Sequence, residues 1–266
     1  MYENEDILEA YKQVLINEGL LNKIATGAAL AAGGLMGTAP DADAAKLKDV
    51  PLMGQSAQAQ VTIPKGKYAS ANDFKGVQSM PAMKLTEDNY KKYISSYIKN
   101  KEGFRKAAYI DPSGEGKWCV GYGFELNGNT RQVAKMRELG LDYKSVKAKK
   151  QFVTEDQATK LLDWYIEHQA ITDATNFFPN FPNLHPNIKA ALIDLSYNNG
   201  LSRMLKYKGL KAALIRKDYV RAAFEYIDTK EYAKCVAKHW GGKIDRLNKG
   251  ASLIYSVRGT PTGVTK

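Results

Sequence analysis

The chain has 266 residues, 44% hydrophobic, 25% charged and 10% aromatic, with 39 basic against 28 acidic side chains for a net charge of +11. That composition supplies a core and excludes wholesale disorder, collagen-like repeats and a multispan membrane protein. Two cysteines exclude a disulfide framework. The absence of CxxC, HExxH, HxxxH, GxGxxG and GxxxxGK[ST] patterns argues against metal, redox and nucleotide chemistry, so no cofactor is expected.

Residues 1–45 hold two lysines against seven acids, a net −5, so residues 46–266 carry 37 basic against 21 acidic side chains, +16. A basic body of this kind is drawn to polyanions: nucleic acid, anionic lipid or the acidic glycopeptide of a bacterial wall. Charge does not choose among these, and a lysine-rich soluble surface is the plain alternative. The first 18 residues read as an acidic amphipathic helix, with Ile7, Leu8, Tyr11, Val14 and Leu15 at helical spacing. The apolar and small run Ile24–Met36 falls short of the roughly 20 residues that cross a bilayer, so no stable membrane span is expected. With Lys23 in front and Ala42-Asp43-Ala44 behind, it reads as a secretory core with a cleavage site, although the acidic stretch upstream has the wrong charge. Ile16-Asn17-Glu18 and Ile7-Leu8-Glu9 also resemble the (Leu/Ile)-x-Glu site cut by head-maturation proteases of large tailed phages. A weak signal-anchor and a poorly ordered tail are the other readings of this leader. Residues 46–85, with Pro51, Pro64 and Pro81 and no sustained period, read as a linker or irregular arm.

A domain is expected over residues 86–258, with 259–266 as a tail. Thr86 reads as an N-cap with Glu87 and Asp88 in the first turn. The helix that follows carries Tyr90, Ile94, Tyr97 and Ile98 as an apolar stripe. One further step of four puts Glu102 on that face, and Gly103 suits the helix end. A carboxylate on a core-facing stripe is costly unless it is paired or has chemistry to do. Partial desolvation and the negative helix end favour its protonated form, and Arg105 opposes them. A helix-end glutamate paired with Arg105 or Lys106 is the plain alternative. Ala107–Ile110 reads as a strand, Asp111-Pro112-Ser113-Gly114 as a turn and Trp118–Val120 as the return strand, closed by Gly121-Tyr122-Gly123. A helix bearing one carboxylate thus runs into a hairpin bearing another, Asp111. Acetal hydrolysis needs such a pair, one acid for the leaving oxygen and one carboxylate for water or attack.

The string EGFRKAAYIDPSGEGKWCVGYG resembles the catalytic signature of phage-type lysozymes, glycoside hydrolase family 24: E-G-x-R-x-x-x-Y-x-D, a short turn, then T-x-G-x-G-H. Glu102, Gly103, Arg105, Tyr109, Asp111, Gly121 and Gly123 fall at the family spacing. The resemblance implies that Glu102 is the general acid and that Asp111 positions or activates the attacking water. The family's threonine, which helps hold that water, is Cys119 here. The turn is two residues longer, and the closing histidine is Phe124. A thiol is a weaker hydrogen-bond partner than a hydroxyl.

Farther along, Thr154–Gln157 is a capping box that opens a helix with Ala158, Leu161, Leu162, Tyr165 and Ile166 on one face. Pro186 starts a helix over Asn187–Asn198 that Gly200 stops. Its Tyr197-Asn198-Asn199-Gly200 resembles the aromatic-Asn-x-Gly step of the family's central helix, which implies substrate contacts for Tyr197 and, on the hairpin, Tyr122; a core tyrosine is the alternative at 197. Amphipathic helices follow near Leu210–Lys217 and Tyr219–Tyr226. Trp240-Gly241-Gly242-Lys243, with Arg246 and Lys249, resembles the family's GGK…RR segment, and the glycine pair suggests a close backbone approach. The expected fold is α+β, predominantly helical and lysozyme-like, with a small hairpin lobe, a helical lobe and a cleft between them.

The implied activity is that of a muramidase acting on peptidoglycan at the host cell wall, phage-encoded, as a monomer with no nucleic-acid partner. Its leader would serve packaging in the virion or export. A wall-binding or virion structural module without turnover and a lytic transglycosylase using the glutamate alone are the competing readings.

Overall fold

A computed structural model describes residues 65–111 and 116–258, all within one compact unit, Ala59–Lys266. The readings of the leader (residues 1–45), of most of the arm, of the turn at residues 112–114 and of the tail lie outside the described residues.

The arm is not wholly irregular. Residues 71–78 form α1 (Ala71–Gln78), opened by a capping box in which Ser70 and Asp73 satisfy each other's backbone N–H groups. Only Phe74 and Val77 are buried on it, too few apolar positions to give a readable period. Phe74 sits edge-on to Phe224 and Tyr255, with ring centroids 5.5 Å away in each case. The chain before α1 is held by Asp228, whose carboxylate accepts the backbone N–H groups of Lys67 (2.9 Å), Tyr68 and Ala69 (2.7 Å). These contacts attach residues 67–78 to the domain expected to begin at 86.

Helix α2 (Tyr90–Glu102) starts later than the sequence suggests. Asn89, not Thr86, precedes its first turn, and the Asn89 Oδ1 accepts the Thr86 backbone N–H at 2.8 Å. Thr86–Asn89 is therefore a turn feeding the helix. Tyr90, Ile94, Ser95 and Ile98 are its buried face. Strands β1 (Arg105–Ile110), β2 (Trp118–Gly121) and β3 (Phe124–Glu125) form an antiparallel sheet in that order. Tyr109 pairs with Cys119 and Cys119 with Glu125, so β2 is the middle strand and the hairpin gains a short third member.

Two short helices, α3 (Thr130–Glu138) and α4 (Tyr143–Lys147), are each opened by an Asx cap, from Asn129 and Asp142. Helix α5 (Glu155–Tyr165) has the expected capping box at Thr154 and packs on β2, β3 and α2. It continues through one π-helical turn, Ile166–Ala170, into α6 (Ile171–Phe177). Pro186 and Gly200 bound the central helix as their chemistry suggests. Helix α7 (Pro186–Met204) has His185 as its N-cap and is interrupted at Gly200, which adopts φ 65°. Residues Ile188–Ser196 are buried on every side, because α2, α6 and the last helix, α11 (Gly241–Tyr255), surround α7. Helices α8 (Lys208–Ile215), α9 (Tyr219–Ile227) and α10 (Lys230–Ala237) complete a mostly helical α+β fold with a small antiparallel sheet.

Candidate active site

Glu102 is the last residue of α2. Gly103 ends the helix at φ 69° and returns its N–H to Lys99 O at 3.1 Å, so Glu102 stands in the last turn. The cation on this carboxylate is not Arg105, whose guanidinium lies 4.2 Å from the centre of the Tyr109 ring. It is Arg246, on α11, whose Nη1 donates to Glu102 Oε1 at 2.5 Å. The same guanidinium reaches Asp194 on α7. Nη2 is 2.8 Å from Oδ1, and Nε is 3.1 and 3.2 Å from the two carboxylate oxygens. Side-chain exposure falls along the chain of contacts, from 28% at Glu102 to 11% at Arg246 and 4% at Asp194. Burial works against the charge on Arg246, but Asp194 and then Glu102 outweigh it and raise its pKa.

Asp111 stands at the end of β1, half-buried, and its backbone N–H donates to Lys117 O at 2.8 Å to close the base of the hairpin. Tyr109 and Cys119 are adjacent on paired strands, and each lies within the field of both Glu102 and Asp111. Burial pushes the Tyr109 hydroxyl up to about 12, and the Cys119 thiol adds to the effect. Burial, followed by the charges of Asp111 and Glu125, pushes the Cys119 thiol itself up to about 12. Cys119 is 5% exposed and stays a neutral thiol, a weak donor, at physiological pH.

Gly123 supplies the remaining wall. It adopts φ 91°, and a Cβ there would sit 3.6 Å from Glu102 Oε2 and 3.3 Å from the Tyr197 hydroxyl. Backbone therefore borders the carboxylate here, and a side chain would be strained by the positive φ and tight against the Tyr197 hydroxyl. Tyr197 donates its hydroxyl to Tyr122 O at 2.5 Å and places its ring edge-on to Tyr165, with centroids 5.3 Å apart. This contact ties α7 to the sheet beside Glu102. Phe124, where the resembled motif has histidine, is buried against Trp164 and Tyr165.

Two sequence expectations are corrected. Tyr122 does not present a ring to substrate: it is 3% exposed, and its hydroxyl donates to Glu155 Oε1 at 2.7 Å at the start of α5. Strand alternation could not show that α5 covers this position. Nor do Gly241 and Gly242 permit a close approach, since a Cβ at either would meet nothing within 4 Å. They open α11, whose Arg246 is the residue that reaches the site. Sequence reasoning placed Arg246 in a late basic segment without its partner, and it did not single out Asp194. Asp194 and Arg246 also border a depression of about 70 Å³, together with Asn198, Asn199, Tyr207, Glu231 and Lys243.

A glutamate at a helix end, a second carboxylate at a strand end and a bare backbone wall can protonate a leaving oxygen and direct water. Residues 99–248 match the protein-family model described as "Phage lysozyme". The match runs from the last turn of α2 into α11 and so includes Glu102, Asp111, Asp194 and Arg246. No curated protein matches the chain.

Proposed function

Because the chain belongs to the phage lysozyme family, a glycoside hydrolase-type assignment with peptidoglycan as substrate, we propose that it is a muramidase. It cuts the β-1,4 bond between N-acetylmuramic acid and N-acetylglucosamine. Glu102 protonates the glycosidic oxygen, and Asp111 directs water or attacks on the opposite face of the sugar. Cys119 lines the water site as a weak partner, and Tyr197 forms part of the groove wall through its partly buried ring. The enzyme is phage-encoded and acts on the host wall, where its basic body, residues 46–266, holds it to anionic glycopeptide at a strength that falls with salt.

The observation that carries this reading is the setting of Glu102. It is a helix-terminal carboxylate with one side against the bare backbone of Gly123 and its other oxygen on Arg246. A purely structural ion pair needs no glycine wall. The neutral thiol at 119 favours one other reading, a wall-binding module with little turnover.

The test is digestion of purified peptidoglycan by wild type and by Glu102→Gln, with released ends identified by mass spectrometry. Reducing N-acetylmuramic acid ends that fall at least about 10²-fold in the variant bear out the muramidase. Anhydro ends would mean a transglycosylase, and binding without release in either protein would mean the binding module.

A further inference from the structure

The contacts around Arg246 raise a difficulty that the proposed function must meet. A general acid has to carry a proton when substrate arrives, yet Glu102 lies in hydrogen-bond contact with a permanently charged guanidinium at 2.5 Å. An unopposed cation at that distance favours the ionised carboxylate. Arg246 is not unopposed. Asp194 takes the Nε–Nη2 edge of the guanidinium, and Glu102 is met by Nη1. Asp194 is also the more deeply buried of the two carboxylates, 4% exposed against 28%.

The other charged and titratable groups around the trio include Arg203 of α7, which borders the same depression as Asp194 and Arg246 and has contacts of its own. Lys101 of α2 is paired with Asp245 of α11, and Lys243 with Glu231 of α10. Burial raises the hydroxyls of Tyr93 and Tyr97 on α2 and of Tyr197 and Tyr226 on α7 and α9, so all four stay neutral. On the sheet side Tyr109 and Cys119 are held neutral in the same way, and Arg105 rests on the Tyr109 ring. Asp111 adds a negative charge from that side, acting on Tyr109 and Cys119.

We propose that Asp194 is a positioning residue that binds Arg246 side-on and offsets its charge, leaving Glu102 able to hold and release the catalytic proton. Two carboxylates and one guanidinium sum to one negative charge. A single proton makes the cluster neutral, and that proton is assigned to Glu102, which has one contact from Arg246 where Asp194 has three. Arg246 then serves Glu102 after proton transfer, as the donor that receives the new carboxylate.

The inference rests on Glu102 as the acid, so its test needs a reading that does not depend on turnover. The Glu102 carboxyl is followed by carbon NMR through a pH titration in wild type, Asp194→Asn, Asp194→Glu and the double variant Asp194→Asn/Arg246→Gln. In Asp194→Asn the Glu102 midpoint is expected to move down by about one pH unit. The alkaline limb of the kcat profile should move with it, a roughly tenfold loss of rate at a fixed pH on that limb. Asp194→Glu keeps the wild-type midpoint, and the double variant moves back to it or above. A folded Asp194→Asn protein whose Glu102 midpoint stays within 0.3 unit (about the precision of such a titration) overturns the inference, even if stability falls. Wild type that releases no sugar would defeat the muramidase reading, and the titration would still decide the role of Asp194.

Discussion

Gly123→Ala is the substitution that most directly probes how the sheet meets the Glu102 carboxylate. Its φ of 91° lies where a side chain is strained, at a cost of roughly 1–2 kcal/mol. The new methyl would lie 3.3 Å from the Tyr197 hydroxyl, which is already committed to Tyr122 O at 2.5 Å and has little room to yield. Loss of that hydrogen bond adds about 1 kcal/mol, for a total near 2–3 kcal/mol. The methyl also stands 3.6 Å from Glu102 Oε2, in the space a leaving oxygen would use, so turnover should fall by about 10- to 100-fold per folded molecule. Gly121→Ala is the internal control. Its φ is 66°, and its Cβ would lie 2.8 Å from Ala158 Cβ and 3.4 Å from Ala158 Cα on α5. Strain plus overpacking then gives about 2–5 kcal/mol, directed at the sheet–helix contact and not at the acid. Adding Ala158→Gly should return part of that loss, less about 1 kcal/mol for glycine within a helix. Urea unfolding and wall-clearing rates, the latter measured where both variants are more than nine-tenths folded, separate the two effects. Gly123→Ala with rates within twofold of wild type would refute the placement of this backbone against the acid. A neutral Gly121→Ala would refute the fit of β2 on α5.

Two further outcomes follow from the same geometry. Cys119 in native protein should resist alkylation at pH 8. Because burial lifts its pKa from 9.0 to about 12, the stability it contributes is complete below pH 9 and is lost as pH rises toward 12. Unfolding free energies of wild type minus Cys119→Ser should show that slope, and rapid labelling at pH 8 would contradict it. His185 caps α7 by accepting the Asn187 N–H on Nδ1 at 3.1 Å, and burial lowers its pKa below 6.5. Its stability contribution is present above that pH and declines by up to about 1 kcal/mol as pH falls, a decline that His185→Asn should remove.

Much of the fold was legible because its signals are local. The step of four from Ile94 through Ile98 to Glu102 puts a carboxylate at the end of a buried face without any knowledge of what lies opposite. The Thr154 box, Pro186 and Gly200 bound their helices by chemistry that acts within a few residues. What was not legible depends on partners distant in the chain. Thr86 is a good cap in sequence, and only the structure shows the helix beginning at Tyr90, with Asn89 Oδ1 bonded back to the Thr86 N–H. Tyr122 reads as a cleft residue until α5 is seen to cover it and Glu155 to take its hydroxyl. Arg105 is the obvious counter-ion to Glu102 by proximity, yet the guanidinium that reaches it comes from 144 residues farther along.

Asp194 is the instructive omission, because the argument that selects Glu102 applies to it with greater force. It stands within Ala190-Ala191-Leu192-Ile193-Asp194-Leu195, a run apolar on every side that can only be a fully buried helix. An acid there costs several kcal/mol unless a cation is delivered to it, so a second buried carboxylate in the sequence implies a second interior positive charge or a shared one. The late segment Lys243–Lys249 offers the candidates, and of these only an arginine presents enough donors in a fixed plane to bind two carboxylates at once. Asp173 and Lys189 are buried as deeply, bonded to Gln169 and Ser196 and to Glu87, so the charge pattern suggests this segment for the partner of Asp194 and the bonds of Arg246 identify it. The bond from Arg246 Nη1 to Glu102 Oε1 then shows which second carboxylate shares the cation.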